Sequence, residues 1–395
     1  MRALAALMAV GLFLVGACAP AAVPTPTPVQ PKPVATSAPT AKPGDATATV
    51  PKPAASADWK AEWDKILAAA KKEGKVVVAI PRGSTYREAL TGFSKSFPEI
   101  QLQVDAVEGG DFAPKVLAER DGDQYLWDAY VGGATSGLTI MRPKGVFDPL
   151  PPALILPEVL DDSKWVGGFS DPWQDRELQY IFALEGRLFF IAYVNRDFVP
   201  ESELNSIDQL LDPKWKGKIA GGDPRGAGTG NGAGGHLLSV KGEEWLRKLY
   251  SQDLVIMQDE RQLADSLVRG RYPVVVGLNP GAALDQYRAE GVGKNVKPLD
   301  PESVAGASLS SGRGNVSLIN RAPHPNAAKV YLNWLLSMEG AKAYANATNF
   351  TTRRLDVASP EEYRPKTGVK YRDLNKDAMV PFKSRVMEIA KEMFK

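Results

Sequence analysis

From residue 58 onward the apolar residues switch between two spacings, and the order of those switches restricts the fold more than any other feature. Trp59, Trp63, Ile66, Leu67 and Ala70 recur at helical intervals, with Gly74 placed to end the helix. "KVVVAI" (75–80) then reads as a buried strand. Leu90, Phe93 and Phe97 share a helix face that Pro98 terminates, and Ile100, Leu102, Val104 and Ala106 alternate as in a strand. A helix over 111–119 and the strand "WDAYV" (127–131) complete a β-α-β-α-β series. Such alternation specifies parallel neighbouring strands joined by right-handed crossovers, a doubly wound α/β sheet.

A second series follows. "RLFFIAYVN" (187–195) is a long apolar run, and Ser206 with Gln209 has capping-box spacing ahead of a short helix. "KGKIAGG" and "RYPVVVGLN" read as strands, each leading to a helix. "NVSLIN" is a further strand, and Pro325 opens a helix whose apolar stripe is Tyr331, Trp334, Leu335 and Met338. Two α/β lobes are therefore expected, with no repeat of fixed period. The end of the chain, "DAMVPFKSRVMEIAKEMF", reads as a helix within a segment 351–395 that packs on the lobes.

The first residues carry a different signal. Arg2 precedes an apolar run of about 15 residues, shorter than the roughly 20 that span a bilayer, so 1–17 reads as a signal peptide. "VGAC" (15–18) has the form of a lipobox, which places a lipid on Cys18, the only cysteine of the chain. An intrachain disulfide is thereby excluded. Residues 18–57 are rich in Pro, Ala and Thr and read as an extended, semi-rigid spacer. The expected locale is extracytoplasmic, with the body held to the membrane by the lipid.

In open α/β sheets, ligands sit at the carboxyl ends of strands. Loops of suitable position and chemistry are 82–85, 132–136, 225–231 and 279–281. They hold small residues, hydroxyls and free N–H groups ahead of helices, which favours anions. The candidate ligand-binding residues are Arg82, Ser84, Thr85, Gly133, Thr135, Ser136, Tyr193, Arg225, Gly226, Gly228, Thr229 and Asn279. The third loop lies in "DPRGAGTGNGAGGH" (223–236), where six of fourteen residues are glycine. So flexible a stretch after a strand suggests that something approaches the backbone closely.

Other chemistries are poorly served. Gly230, Gly232 and Gly235 meet the G-x-G-x-x-G spacing, but a stretch this rich in glycine does so easily, and no phosphate-loop motif occurs. "GATSG" is not G-x-S-x-G, and only two histidines, His236 and His324, are available as bases. A zinc site of Cys and His is excluded by count. The net charge of +2 points away from nucleic acid. No cofactor and no enzymatic activity are expected.

"DPKWKGKI" (212–219) and "APHPNAAKVYLNWLLSMEG" (322–340) resemble the bacterial extracellular solute-binding proteins of ABC importers. "EGKVVV", "FSKSFPEIQLQV", "AERDG" and "YVNRDFV" occur in the order expected for the ferric-iron, phosphonate and sugar-phosphate group. The resemblance covers 58 to about 348. It implies a type 2 periplasmic-binding-protein fold: lobe 1 over 58–192 and 305–350, lobe 2 over 193–304, and crossovers near Tyr193 and at 306–311. It also implies a monomeric receptor that closes on a small solute and docks on a membrane permease. Ferric members place adjacent tyrosines where this chain has Asn279, Pro280 and Gly281, so only Tyr86, Tyr193 or Tyr287 could supply phenolate. With Arg82 and Arg225 as guanidinium forks, the expected solute is anionic: a phosphonate, phosphate ester or carboxylate. The alternative is a ferric receptor using a synergistic anion; an enzyme or a sensor on this scaffold ranks lower.

Overall fold

The computed structural model describes residues 58–394 apart from 359, 360, 367, 368 and 370. The leader, the lipobox with Cys18 and the proline-rich spacer lie outside the described residues. The first helix, Trp59–Glu73, ends at Gly74 in the left-handed conformation (φ 68°), with its N–H bonded to the Ala70 carbonyl. Its apolar face lies against the helix Pro325–Leu336, whose interior is almost wholly buried because it is covered on more than one side.

Among the described residues, thirteen strands follow in chain order. In the first half they are β1 (Lys75–Ile80), β2 (Gln101–Ala106), β3 (Ala129–Gly132), β4 (Phe147–Asp148), β5 (Phe182–Ala183), β6 (Arg187–Phe190) and β7 (Ala192–Asn195). In the second they are β8 (Ile219–Gly222), β9 (Val255–Met257), β10 (Val274–Val276), β11 (Val296–Pro298), β12 (Ala307–Ser310) and β13 (Asn315–Ile319). One sheet has the order β2-β1-β3-β13-β4, with β5 also on β13; the other has β11-β7-β10-β8-β9. β1 runs parallel to β2 and β3, and β8 runs parallel to β9 and β10, as the alternating pattern requires.

Each sheet also takes one antiparallel insertion. β6 and β12 form a separate antiparallel ladder, with Arg187 opposite Ser310. One residue past β6, the chain enters the second sheet as β7, antiparallel to β10. Shortly after β12 it enters the first sheet as β13, antiparallel to β3. The apolar run 187–195 is therefore two strands in two different sheets, and the crossing lies at Arg187–Phe190 instead of near Tyr193. A third backbone segment lies along β12: Leu309 donates to the Arg372 carbonyl at 2.7 Å and accepts from Leu374 N–H at 2.8 Å.

The expected capping box is present at Ser206, with Gln209 reciprocating. The glycine stretch departs from expectation. It is a loop only as far as Gly228, and Thr229–Lys241 is a helix. Its glycines serve packing: a Cβ on Gly230 would lie 2.1 Å from the Gly222 carbonyl oxygen on β8, and one on Gly234 would lie 2.6 Å from Tyr250 Oη. The C-terminal helix, Val380–Met393, packs against this same glycine helix. Among the described residues, no helix is long and apolar enough to cross a membrane.

Candidate functional site

The two sheets and the β6–β12 ladder bound a cleft of about 620 Å³, within the range of small-molecule sites. Arg187 sits at the end of β6, where an apolar strand meets the cavity, and is only 12% exposed. Its Nε lies 3.0 Å from Glu185 Oε1, and its guanidinium covers the Phe350 ring at 4.4 Å. One amino group donates to Asn279 Oδ1 at 3.3 Å. The Nε–Oε1 contact is an ion pair without hydrogen-bond alignment, which leaves both atoms short of a partner.

Glu185 is fully buried, and its other oxygen accepts from the Tyr344 hydroxyl at 2.8 Å. Burial pushes its carboxyl above the ordinary value, and Arg187 opposes that shift. Gly312 and Gly314 make room for it, since a Cβ on either would fall within 2.6 Å of Glu185 atoms. Between these glycines, Arg313 lines the cleft with its Nε 3.4 Å from Glu108 Oε2.

On the second-lobe side, Thr229 donates to Glu260 Oε1 at 2.9 Å, and both residues line the cleft. Burial raises the Glu260 carboxyl, against the hydrogen bond from Thr229. Tyr86 contributes a phenol that burial lifts well above its usual range. Asn375 holds the wall beside the ladder: its Oδ1 accepts from the Ser310 hydroxyl and the Ser311 N–H, both at 3.1 Å.

Of the residues expected from the sequence, Gly133, Thr135, Gly228, Thr229 and Asn279 line this cleft. The others lie elsewhere. Arg82 pairs with Asp111 at 3.0 Å on an exposed surface, and Ser84 and Thr85 are exposed at the start of Ser84–Thr91. Ser136 is turned towards Gly109, where an added Cβ would meet its Oγ at 3.3 Å. Arg225 folds back on Asp223 at 2.9 Å, a pairing that pulls the Asp223 carboxyl down to about 2. Gly226 lines a hollow of about 320 Å³ that shares Gly228, Thr229 and Glu260 with the cleft. Tyr193 points into the core of the second lobe, fully buried against Phe190, so a solute cannot reach it. Tyr287 donates to Asp265 at 3.0 Å, leaving Tyr86 as the one candidate phenol at the cleft. Among the described residues, no group of three or more His, Cys, Asp or Glu side chains is placed to hold a metal ion.

Sequence reasoning missed Arg187, Arg313, Glu185, Asn375 and Lys383. A signal existed for the first two. Arg187 directly precedes an apolar run, and "GRG" at 312–314 has the small-residue signature of the loops at 132–136 and 225–231.

Residues 78–342 match the family profile described as bacterial extracellular solute-binding protein. Among solved structures, iron-bound HitA from Pseudomonas aeruginosa is similar over 81% of this chain and 99% of its own, at 15% identity and a TM-score of 0.61. Ferric iron-binding protein A of Mannheimia haemolytica, in an open conformation, matches 81% of this chain and 98% of its own, at 14% identity and 0.64. AfuA from Actinobacillus pleuropneumoniae, with fructose-6-phosphate bound, matches 81% and 98%, at 19% and 0.56. At these identities the likeness establishes the architecture, a type 2 periplasmic-binding-protein fold of two α/β lobes. No curated protein matches the chain.

Proposed function

Because the chain belongs to the family of bacterial extracellular solute-binding proteins, we propose that it is the substrate-binding receptor of an ABC importer, taking a small polar, anionic solute into the cleft between its lobes. Lobe 1 is assigned to 58–192 and 305–350, and lobe 2 to 193–304, with Cys18 carrying the lipid that holds the receptor at the membrane. The loaded monomer would present both lobes to a membrane permease. Binding without chemistry is the reading, because the matching family is one of solute-binding proteins.

The observation that supports an anion most directly is the lining itself: Arg187 and Arg313 face the cavity together with hydroxyls and amides from both lobes. Guanidinium groups offer paired donors to phosphate or carboxylate oxygens. Closure would follow if the solute binds the closed arrangement better than the open one. A ferric receptor needs several hard oxygen donors, and Tyr193 and Tyr287 are turned away, which favours the anion reading.

A thermal-shift panel tests this proposal, since a solute that binds only the folded state raises the melting temperature. Phosphate esters, phosphonates or carboxylates are expected to give the largest shifts. Stabilisation by ferric salt alone, with a phenolate absorption band, would replace this reading with the iron one.

A further inference from the structure

Three cationic side chains line the cleft: Arg187, Arg313 and Lys383. The two arginines face carboxylates, Glu185 at 3.0 Å and Glu108 at 3.4 Å, so much of their charge is already answered. Lys383 differs. Among the described residues, no side chain makes an ion pair or hydrogen bond with its ammonium group. The carboxylate whose field reaches it is Asp373, and that group is bound to Arg353 and Gln174.

The position of Lys383 is fixed from several directions. Its carbonyl accepts from the buried Asn231 Nδ2 at 2.9 Å. Its stem lies on the glycine helix, where a Cβ on Gly235 would be 3.1 Å from Lys383 Cγ. Upstream, Asp377 ties the segment to Arg142 at 2.9 Å and Arg176 at 3.0 Å. Downstream, Arg385 binds Glu243 at 2.8 Å. Lys383 is partly buried, and desolvation of its ammonium pushes it down to about 8, with the field of Asp373 opposing the shift. Such a cation gains from any anion that reaches it.

We propose that Lys383 is a specificity-determining residue of the cleft, binding an anionic group of the solute from a helix outside the 78–342 region that matches the family. The inference rests on the reading of the cleft as the solute site. It assigns selection for charge to the C-terminal segment, and leaves Arg187 and Arg313 to orient the anion while sharing their charge with neighbouring carboxylates.

Calorimetry with inorganic phosphate, glycerol 3-phosphate and citrate, and glycerol as the uncharged control, tests the assignment on the full protein. For the best-bound anion, Lys383→Met is expected to lose about tenfold or more in affinity, the scale of one hydrogen bond to a charged group, while Lys383→Arg retains most of it. If the wild type binds an anion and Lys383→Met binds it equally well, Lys383 has no such role and the anion receptor stands. If the wild type binds none of the three, the anion reading and this inference fall together. A melting curve reports whether the Met variant is folded. Should it not be, acetylation of wild-type lysines read by mass spectrometry decides. The bound anion is expected to protect Lys383 and leave Lys376 and Lys391 unchanged; unprotected Lys383 overturns the assignment.

Discussion

The glycine stretch at 223–236 and the short segment at 310–314 both border the cleft, and their glycines do different work. In the first, Gly230 and Gly234 let a helix settle on β8 and on Tyr250. In the second, Gly312 and Gly314 open space for the buried Glu185, which in turn holds Arg187 at the cavity. One set of glycines builds the wall; the other makes room for the charges behind the wall. Glycine density alone therefore does not mark a ligand loop. What a missing Cβ would strike is the better guide.

The largest effect that tests this contrast is expected at Glu185. Glu185→Ala leaves Arg187 and the Tyr344 hydroxyl facing an empty buried site, and stability in urea should fall by about 3–5 kcal/mol. A loss under about 1 kcal/mol would mean that the crossover charges are not coupled as described. Gly230→Ala comes next. Alanine normally stabilises a helix interior, but here its methyl meets the backbone of β8, so a loss of about 2–3 kcal/mol is expected.

A third effect separates the regions by pH. His236, on the glycine helix, is fully buried, its Nε2 is 2.6 Å from the Val304 carbonyl oxygen, and burial lowers it to about 4. The folded state favours the neutral ring, so this contribution is complete above the unfolded value of about 6.5 and is lost as pH falls from there towards 4. Between pH 7 and 5 the wild type should lose about 2 kcal/mol more than His236→Gln in paired urea titrations. Equal losses would show that the ring is reached by water. The smallest effects compare arginines. Arg187→Met should weaken anion binding by about tenfold, whereas Arg82→Met and Arg225→Met should stay within about twofold, since those two lie outside the cleft. Equal losses in all three would return Arg82 and Arg225 to the site.

Much of the architecture was legible in the sequence because it depends on local periodicity. The helix ending at Gly74, the alternating β2 and the capping box at Ser206 follow from spacing and caps. Part of the cleft lining was legible for a similar reason. Gly133, Thr135 and Asn279 lie just beyond strand ends, Thr229 opens the helix that follows β8, and strand ends of α/β sheets face the cleft. The remainder depends on where one apolar run breaks. Nothing in "RLFFIAYVN" marks Ile191 as the break between two sheets, yet that break turns Arg187 to the cavity and Tyr193 into the core. Lys383 was hidden for another reason: a helical pattern gives a face, but not the partner that the face meets.

An anion enclosed by side chains from both lobes should draw the lobes together. Small-angle scattering of the protein with and without the anion that stabilises it most tests this directly. A smaller radius of gyration on binding, absent in Arg187→Met at the same ligand concentration, is the predicted result. A bound anion that leaves the radius unchanged in the wild type would contradict enclosure between the lobes.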